Sequence, residues 1–294
     1  MRTIFSLVAV LAAMLLAATF GMAADAEKAP ADKAAAEKAP AEKAATEKGA
    51  EKAPAAEKLS EDGFVPIFNG KDLTGWDGKP SMWSVKDGCI RGEATKNNMQ
   101  TGGNTFLTWQ GGKPADFELR LSCKMVGGNS GIQYRSFTRP EQWVVGGYQM
   151  EVSTDPKNAG FLYGELFRGG MARVGQKVVW KGGAQVVGSL GDAAEIAKSY
   201  KKDDWNDYRI VCRGNHIEQY LNGIQTIDLV DEDPKAPSSG VIALQIHQGY
   251  VMVVEFKDIR LKKFEKEGAA KTDAAKPDAK KPDAPKAEAP KSAQ

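Results

Sequence analysis

The sequence has few of the residue types that usually mark a metal centre or a nucleic-acid surface. Its 294 residues include three cysteines and two histidines. These form neither a CxxC pair nor a Cys/His cluster, which argues against a structural zinc site. Neither sign of charge is in excess, since 40 lysines and arginines face 38 aspartates and glutamates. Because of this balance we expect no nucleic-acid partner.

The three cysteines are Cys89, Cys123 and Cys212. Cys123 and Cys212 each fall on the apolar phase of an alternating strand pattern, which predicts core residues rather than reactive thiols. Because the count is odd, at least one thiol must be free. A disulfide between Cys123 and Cys212 is an alternative that requires their two strands to face each other.

The N-terminus reads as a secretory signal peptide over residues 1–23. Arg2 is followed by an apolar run from Ile4 to Phe20, and small residues precede a cut site that we place after Ala23, with Ala24 as the alternative. An uncleaved membrane anchor is the competing interpretation, but the run is slightly short of the roughly 20 residues that span a bilayer. We therefore expect a periplasmic or secreted protein with no stable membrane insertion after cleavage.

Two segments lack the side chains that build a core. Residues 24–58 repeat variants of Ala-Glu-Lys-Ala-Pro and residues 265–294 repeat Lys-Pro-Asp-Ala, with no aromatic or branched aliphatic residue in either. Such segments bury too little apolar surface to offset chain entropy, so we expect disordered, solvated tethers. One folded domain is left between them, at 59–264.

Within that domain the hydrophobic pattern has a period of two. The run from Phe117 to Cys123 alternates apolar and polar residues, and an Asn222-Gly223 pair separates two further alternating runs, as in a β-hairpin. A short helix is predicted near Asp192, which can cap its first turn. Many short strands with almost no helix predict an all-β sandwich or jelly roll.

Several segments in a fixed order carry a resemblance to a known family. They are Val65-Pro-Ile-Phe-Asn-Gly-Lys-Asp-Leu-Thr-Gly-Trp76, Asn129-Ser-Gly-Ile-Gln-Tyr-Arg135, Gly146-Gly-Tyr-Gln-Met-Glu151, Trp205-Asn-Asp-Tyr-Arg-Ile210, Leu221-Asn-Gly-Ile224, Leu244-Gln-Ile-His-Gln-Gly249 and Phe256-Lys-Asp-Ile-Arg260. Together they resemble the 3-keto-disaccharide hydrolase domain family across essentially all of 59–264. The resemblance implies a concanavalin/LamG-like jelly roll, an extracytoplasmic location and action on glycosides oxidised to a ketone at carbon 3.

That chemistry needs few groups. A ketone at carbon 3 acidifies the hydrogen on carbon 2, so a base can remove it, the leaving group can depart from carbon 1, and water can then add. Such a site needs a base, a group that stabilises the enolate oxygen and an acid for the leaving group. The resemblance also allows a divalent metal ion as the electrophile, for which His247 and Glu151 are the candidate ligands.

The resemblance and the strand pattern together select the candidate residues. His247 and Gln245 stand opposite the apolar Leu244 and Ile246, and histidine is a natural base near neutral pH, although an ordinary surface histidine is the competing interpretation. The candidate catalytic residues are His247, Glu151 and Glu165. The candidate substrate-binding residues are Arg135, Gln133, Gln149, Tyr163, Arg168, Gln245 and Trp143, the last as a sugar-stacking surface.

Some of these residues have simpler interpretations. Glu165 and Arg168 could form a surface salt bridge, and Arg135 could hold an enolate oxygen or neutralise Glu151. The leading prediction for the whole protein is an exported enzyme that cleaves 3-keto-glycosides by proton abstraction at carbon 2. The alternatives are a noncatalytic carbohydrate-binding module and a structural envelope protein.

Overall fold

A computed structural model describes residues 61–265. The predicted signal peptide at 1–23, the linker at 24–58 and all but the first residue of the tail at 265–294 lie outside the described residues. In the part that is described, no helix has the length and apolar character needed to cross a bilayer.

Strands make up most of the described chain, with one short helix, α1, at Ala193–Ala197. In chain order the strands are β1 Val65–Pro66, β2 Trp76–Asp77, β3 Trp83–Lys86, β4 Cys89–Ala94, β5 Thr105–Trp109, β6 Phe117–Val126, β7 Asn129–Thr138, β8 Val145–Ser153, β9 Leu162–Glu165, β10 Gly169–Ala172, β11 Gln176–Trp180, β12 Ala184–Ser189, β13 Asn206–Arg213, β14 His216–Leu221, β15 Ile224–Asp231, β16 Val241–Ile246 and β17 Met252–Lys263.

The strands form two sheets. The larger, ten-stranded sheet has the order β12-β11-β15-β14-β13-β6-β17-β4-β3, with β1 paired to β17, and the smaller, seven-stranded sheet has the order β10-β9-β8-β7-β16-β5-β2. Neighbouring strands in the smaller sheet are antiparallel, and the larger sheet contains a parallel pair, β11 with β15. The all-β jelly-roll sandwich predicted from the alternating sequence is confirmed.

The core lies between the two sheets and takes one side-chain phase from each. The larger sheet contributes residues such as Leu119 and Ile210, and the smaller sheet contributes residues such as Ile132, Met150 and Leu244, all fully buried. Because successive side chains on a strand point to opposite faces, the residues between these positions are turned to the outer faces of the sandwich.

The cysteines follow the core prediction. Cys89, Cys123 and Cys212 are buried and free. Cys123 pairs with Asn206 across the β6–β13 ladder, whereas Cys212 pairs with Phe117 at the other end of the same ladder. The two thiols therefore lie on neighbouring strands at opposite ends, and the alternative of a disulfide between them is not realised.

The predicted turn and helix are also present. Asn222 and Gly223 both have positive φ, at 49° and 82°, and they connect β14 to β15. Asp192 caps α1 by accepting hydrogen bonds from the backbone amides of Ala194 and Glu195.

Candidate functional site

The outer face of the smaller sheet carries a row of buried polar side chains. Gln133 on β7 pairs with Gln149 on β8, which pairs with Tyr163 on β9. Gln245 lies on β16, the strand on the other side of β7. The three glutamines are at most 2% exposed although they belong to the outward phase of their strands. A buried amide must find hydrogen-bond partners, and these glutamines find them in one another and in two glutamates.

Glu151 is the first of these glutamates. It is buried on β8, and its carboxylate accepts hydrogen bonds from Asn129 Nδ2 and from Gln149 Nε2, the latter at 2.9 Å. Burial raises the pKa of the Glu151 carboxyl, the two amide donors oppose the rise, and the charge of Glu165 adds to it. Neither of these hydrogen-bond donors carries a charge.

Glu165, at the end of β9, is the second. Its Oε1 accepts from Asn104 Nδ2 at 3.0 Å and its Oε2 lies 3.4 Å from Gln245 Nε2. Burial raises the pKa of the Glu165 carboxyl, while the amide of Asn104 and the charge of His247 pull it down. His247 thus acts on the carboxyl of Glu165 and is not among the groups that act on Glu151.

The two carboxylates are connected through Gln149 and Gln245. Gln149 donates to Glu151, and its Oε1 accepts from Gln133 Nε2 at 2.6 Å and from Gln245 Nε2 at 3.1 Å. The side chain of Gln149 reaches β16 by passing over Gly131, where a Cβ would stand 2.3 Å from Gln149 Cδ. The absence of a side chain at Gly131 is what lets the connection form.

Two hydrogen-bond acceptors in this cluster have no partner. Gln245 Oε1 and Asn129 Oδ1 are buried and accept no hydrogen bond from the described residues. An unpaired buried carbonyl is unfavourable by roughly 1–3 kcal/mol, so such atoms usually meet a donor in the functional complex. Two free acceptors beside two carboxylates match the needs of a ligand rich in hydroxyl groups.

His247 and Tyr163 lie at the rim of the cluster. His247 follows the last residue of β16, is half-buried, and has Nδ1 2.7 Å from the carbonyl oxygen of Gln248. Tyr163 is half-buried on β9, and burial together with the charges of Glu165 and Glu151 raises the pKa of its phenol. The structure therefore brings His247, Glu151, Glu165, Gln133, Gln149, Tyr163 and Gln245 together on one face.

Arg135 is not brought to this cluster. It is 1% exposed and donates to the carbonyl oxygens of Ala115 and Gly214 and to the carboxylate of Asp116. A β-bulge after Tyr134 and a φ of 44° at Arg135 break the alternation, so its side chain does not follow that of Gln133. It does not pair with Glu151, as the sequence had allowed, because its donors are used elsewhere.

Arg168 and Trp143 also lie apart from the cluster. Arg168 Nη1 is 2.5 Å from Asp231 Oδ2, and its guanidinium stacks on Trp180, so it does not form the surface pair with Glu165. Trp143 is half-buried, and its indole nitrogen lies 3.3 Å from Asp77 Oδ1 at the β2 edge of the sheet. Within residues 61–265, neither side chain is seen to form a hydrogen bond or an ion pair with Glu151 or Glu165.

Three residues of the cluster were not predicted from the sequence to be site residues. Asn129 and Gly131 stand in the segment Asn129-Ser-Gly-Ile-Gln, where alternation from Gln133 would have selected both. Asn104 ends the Gly102-Gly103-Asn104 loop, 61 positions from the Glu165 that it contacts. For Asn104 the sequence holds no local signal.

The candidate ligands for a divalent metal lie on this face of the smaller sheet but are not arranged as a metal site. Within residues 61–265, no group of three or more histidine, cysteine, aspartate or glutamate side chains is arranged to hold a metal ion. Glu151 has both carboxylate oxygens occupied by amide donors, and the charge of His247 acts on Glu165 instead. The donor set proposed from the sequence, His247 with Glu151, therefore does not fit a metal site.

An open groove of about 1360 Å³ lies elsewhere, on the outer face of the larger sheet. Its arginines are engaged by carboxylates, since Arg120 and Arg260 contact Glu61 and Arg209 contacts Glu118. The groove therefore lies away from the buried carboxylates of the smaller sheet. Those carboxylates accept hydrogen bonds from neutral amides rather than from arginine or lysine, so the candidate site is placed there.

Fold and site together define a jelly-roll sandwich domain with a buried carboxylate–amide cluster on its smaller sheet. The chain belongs to the 3-keto-alpha-glucoside-1,2-lyase-like domain family, whose model matches residues 63–262. This confirms the family resemblance inferred from the sequence.

A curated relative and two solved structures are similar to this chain. A 3-keto-disaccharide hydrolase of Bacteroides thetaiotaomicron is 38% identical over 88 residues, which are 26% of this chain and 28% of the relative. A Parabacteroides distasonis protein with a provisional glycosyl hydrolase assignment is 22% identical, with a TM-score of 0.46 over 68% of this chain and 99% of that one. A galectin-like Bacillus subtilis protein of unknown function is 8% identical, with a TM-score of 0.45 over 68% and 94%.

Proposed function

We propose that this protein is an exported enzyme that cleaves glycosidic bonds of 3-keto-glycosides, with its active site on the outer face of the smaller sheet. The observation that carries the proposal is the pair of buried carboxylates, Glu151 and Glu165, both with raised pKa through burial and both held by neutral amides. The family and the name of the Bacteroides thetaiotaomicron relative supply the substrate class.

The proposed reaction is an elimination followed by a hydration. A base takes the proton from carbon 2, and the electron pair left on carbon 2 forms the enolate of the carbon 3 ketone. The enolate then re-forms the ketone and expels the leaving group from carbon 1, while the acid gives a proton to the leaving-group oxygen. Water then adds across the resulting enone, with its oxygen on carbon 1 and a proton on carbon 2. The net change is hydrolysis of the glycosidic bond, and it needs a base, an acid and donors for the enolate oxygen.

We assign the base to Glu165 and the acid to Glu151. The charge of His247 lowers the pKa of Glu165 against the effect of burial, and we give Glu165 the proton-accepting role. Burial and the charge of Glu165 both raise the pKa of Glu151, and we give Glu151 the proton-donating role. Two linked carboxyls in different surroundings can divide these roles between them.

His247 is then a rim residue whose charge acts on the carboxyl of Glu165. The amides of Gln133, Gln149 and Gln245 orient the carboxyls, and the free acceptors Gln245 Oε1 and Asn129 Oδ1 are available to sugar hydroxyls. Hydroxyl donors from the sugar would pair these two acceptors in the complex.

The deciding experiment incubates the purified chain with a methyl 3-keto-glucoside in deuterated water. The proposal expects release of methanol and deuterium at carbon 2 of the sugar product, above the exchange seen without enzyme. Methanol release without deuterium at carbon 2 would indicate direct hydrolysis instead. Binding of the glycoside without release would support the carbohydrate-binding alternative, and a parallel reaction with a chelator tests the metal.

Export is a separate part of the proposal and rests on the N-terminal sequence. Expression of the full chain in a Gram-negative host should place the mature protein in the periplasm or medium with Ala24 as its first residue. N-terminal sequencing that finds Met1 on cytoplasmic protein would contradict export while leaving the enzymatic proposal intact.

A further inference from the structure

Tyr250 is an exposed aromatic residue at the rim of the candidate site. It follows the Gln248-Gly249 turn after β16, and 44% of its surface is exposed. Its ring packs edge-to-face against the imidazole of His247, with the ring centroids 5.2 Å apart. An exposed ring in contact with a residue of the cluster is available to a ligand that enters the cluster.

The turn that carries Tyr250 is held on one side by the loop before β5. The amide of Gly249 donates to the carbonyl oxygen of Gln100 at 2.9 Å, and the amide of Gly103 donates to Gln248 Oε1 at 2.7 Å. The amide of Gln248 donates to Asn104 Oδ1 at 3.0 Å, and the same Asn104 holds Glu165. The position of the turn is therefore tied to the position of the carboxylate.

On its other side Tyr250 packs against Gly128. A Cβ at Gly128 would stand 3.0 Å from Tyr250 Cβ and 3.2 Å from its Cγ, so the close approach depends on glycine there. Gly128 directly precedes Asn129, which holds Glu151. Tyr250 thus lies between His247 and the chain segment that leads into the other half of the cluster.

The polar groups of the site are nearly inaccessible, since Glu151, Glu165 and Gln245 are all less than 9% exposed. If the reacting sugar engages them, the group attached to its carbon 1 must point away from them, toward the rim. We propose that Tyr250 is a specificity residue that stacks on a ring in the leaving group, either a second sugar or an aryl group. The inference rests on the proposed function, because only that function defines a leaving group.

The test compares two substrates in the full chain, methyl 3-keto-glucoside and a 3-keto-disaccharide whose second ring is glucose. Removal of one stacking contact lowers affinity by roughly three- to tenfold. Tyr250→Ala should therefore lower kcat/KM for the disaccharide by roughly three- to tenfold more than for the methyl glycoside, mainly through KM. Tyr250→Phe should retain the preference, since stacking uses the ring. Val251→Ala, which trims the exposed neighbouring side chain, should leave both values unchanged.

The outcomes separate the two proposals. If the wild-type chain cleaves neither substrate, the proposed function fails and the inference with it. If the wild-type chain cleaves both but Tyr250→Ala lowers the two kcat/KM values equally, the function stands and the inference is overturned, because Tyr250 then acts only through His247. Loss of the preference in Tyr250→Phe would also overturn it, since the hydroxyl would be the recognition group.

Discussion

The outer faces of the two sheets both carry buried carboxylates, but they give them different partners. On the larger sheet, Glu118 accepts from Arg120 and Arg209 at 2.8 and 2.6 Å. On the smaller sheet, Glu151 and Glu165 accept from side-chain amides of asparagine and glutamine. The first face neutralises its charges with guanidinium groups, and the second face does not.

The pKa directions follow the partners. On the larger sheet, burial alone would raise the pKa of Glu255, but hydrogen bonds and charges from Lys124 and Arg91 outweigh it and the pKa is lowered. On the smaller sheet, no cation is hydrogen-bonded to Glu151, and burial raises its pKa. A carboxylate locked to arginine or lysine is a fixed charge that supports structure, whereas one held by amides keeps a proton within reach of chemistry.

Glu165→Gln should have the largest effect among the variants that test this contrast between the two sheets. We expect kcat on a 3-keto-glucoside to fall by roughly a hundredfold or more, as for loss of a positioned base. The side chain keeps its volume and an acceptor for Asn104, so the free energy of unfolding should change by roughly 1 kcal/mol or less. Steady-state kinetics and urea denaturation measure the two effects. A folded variant with full activity would move the base to another residue.

His247→Ala should lower the same turnover by roughly a hundredfold, because the charge of His247 acts on the carboxyl of Glu165. It is half-buried and outside the core, so unfolding should change by roughly 1 kcal/mol or less. The matched control is His216→Ala, which removes the histidine paired with Asp228 on the larger sheet and should leave turnover unchanged. Equal effects of the two variants would contradict the assignment.

Glu118→Gln is the counterpart of Glu165→Gln on the other face. It leaves the guanidinium groups of Arg120 and Arg209 without their shared carboxylate, so we expect a loss of roughly 2–4 kcal/mol of unfolding free energy with turnover intact. Chemical denaturation followed by tryptophan fluorescence measures the loss. A stable Glu118→Gln protein with impaired turnover would place the active site on the larger sheet instead.

Gly131→Ala sharpens the comparison by disturbing only the amide connection. The added methyl group would meet Gln149 Cδ at 2.3 Å and displace the side chain that joins the carboxylates. We expect roughly a tenfold loss of kcat/KM and a destabilisation of roughly 1–3 kcal/mol. Gly170→Ala, on the same sheet with open space around the position, should be nearly neutral in both assays.

Glu151→Gln removes the proposed acid and should lower turnover as loss of a positioned acid does, whereas its effect on stability is the smallest of the set and depends on pH. Burial raises the folded-state pKa of Glu151 above its unfolded value, so its contribution to stability is complete at low pH and is lost as pH rises through the folded pKa. The glutamine variant has no such loss, and Asn129 can turn its free Oδ1 toward the new amide. We expect the variant's Tm to gain on the wild type as the pH rises above about 4, the ordinary pKa of a glutamate, and to stop gaining once the pH has passed the raised folded-state pKa. A difference independent of pH would show that the carboxyl does not titrate.

Alternation in the sequence predicted the polar face as far as the strands stay regular. Gln149, Glu151 and Gln245 lie opposite core residues of β8 and β16, and period-two spacing identified all three. The same rule failed at Arg135, because the bulge in β7 inserts a residue and sends its side chain elsewhere. No composition signal in Tyr-Arg-Ser-Phe marks that bulge.

Contacts between distant segments could not be predicted in this way. Asn104 reaches Glu165, and Gln149 reaches Gln245 across 96 positions, through sheet order alone. The order β8-β7-β16 places β7 between the two glutamines, and a single sequence does not reveal which strand lies in the middle. The residue types of the site could therefore be predicted from the sequence, whereas the hydrogen bonds that connect them could not.

The placement of Arg135 has a mechanical consequence. Its backbone belongs to the smaller sheet, and its guanidinium is anchored to Ala115, Asp116 and Gly214, which flank β6 and β13 of the larger sheet. The side chain links the two sheets at one end of the sandwich and resists sliding of one sheet over the other. When the protein is pulled apart mechanically, or when its amides exchange slowly with solvent, this end of the sandwich should separate last. Arg135→Met removes the link and should make the same end the first to open.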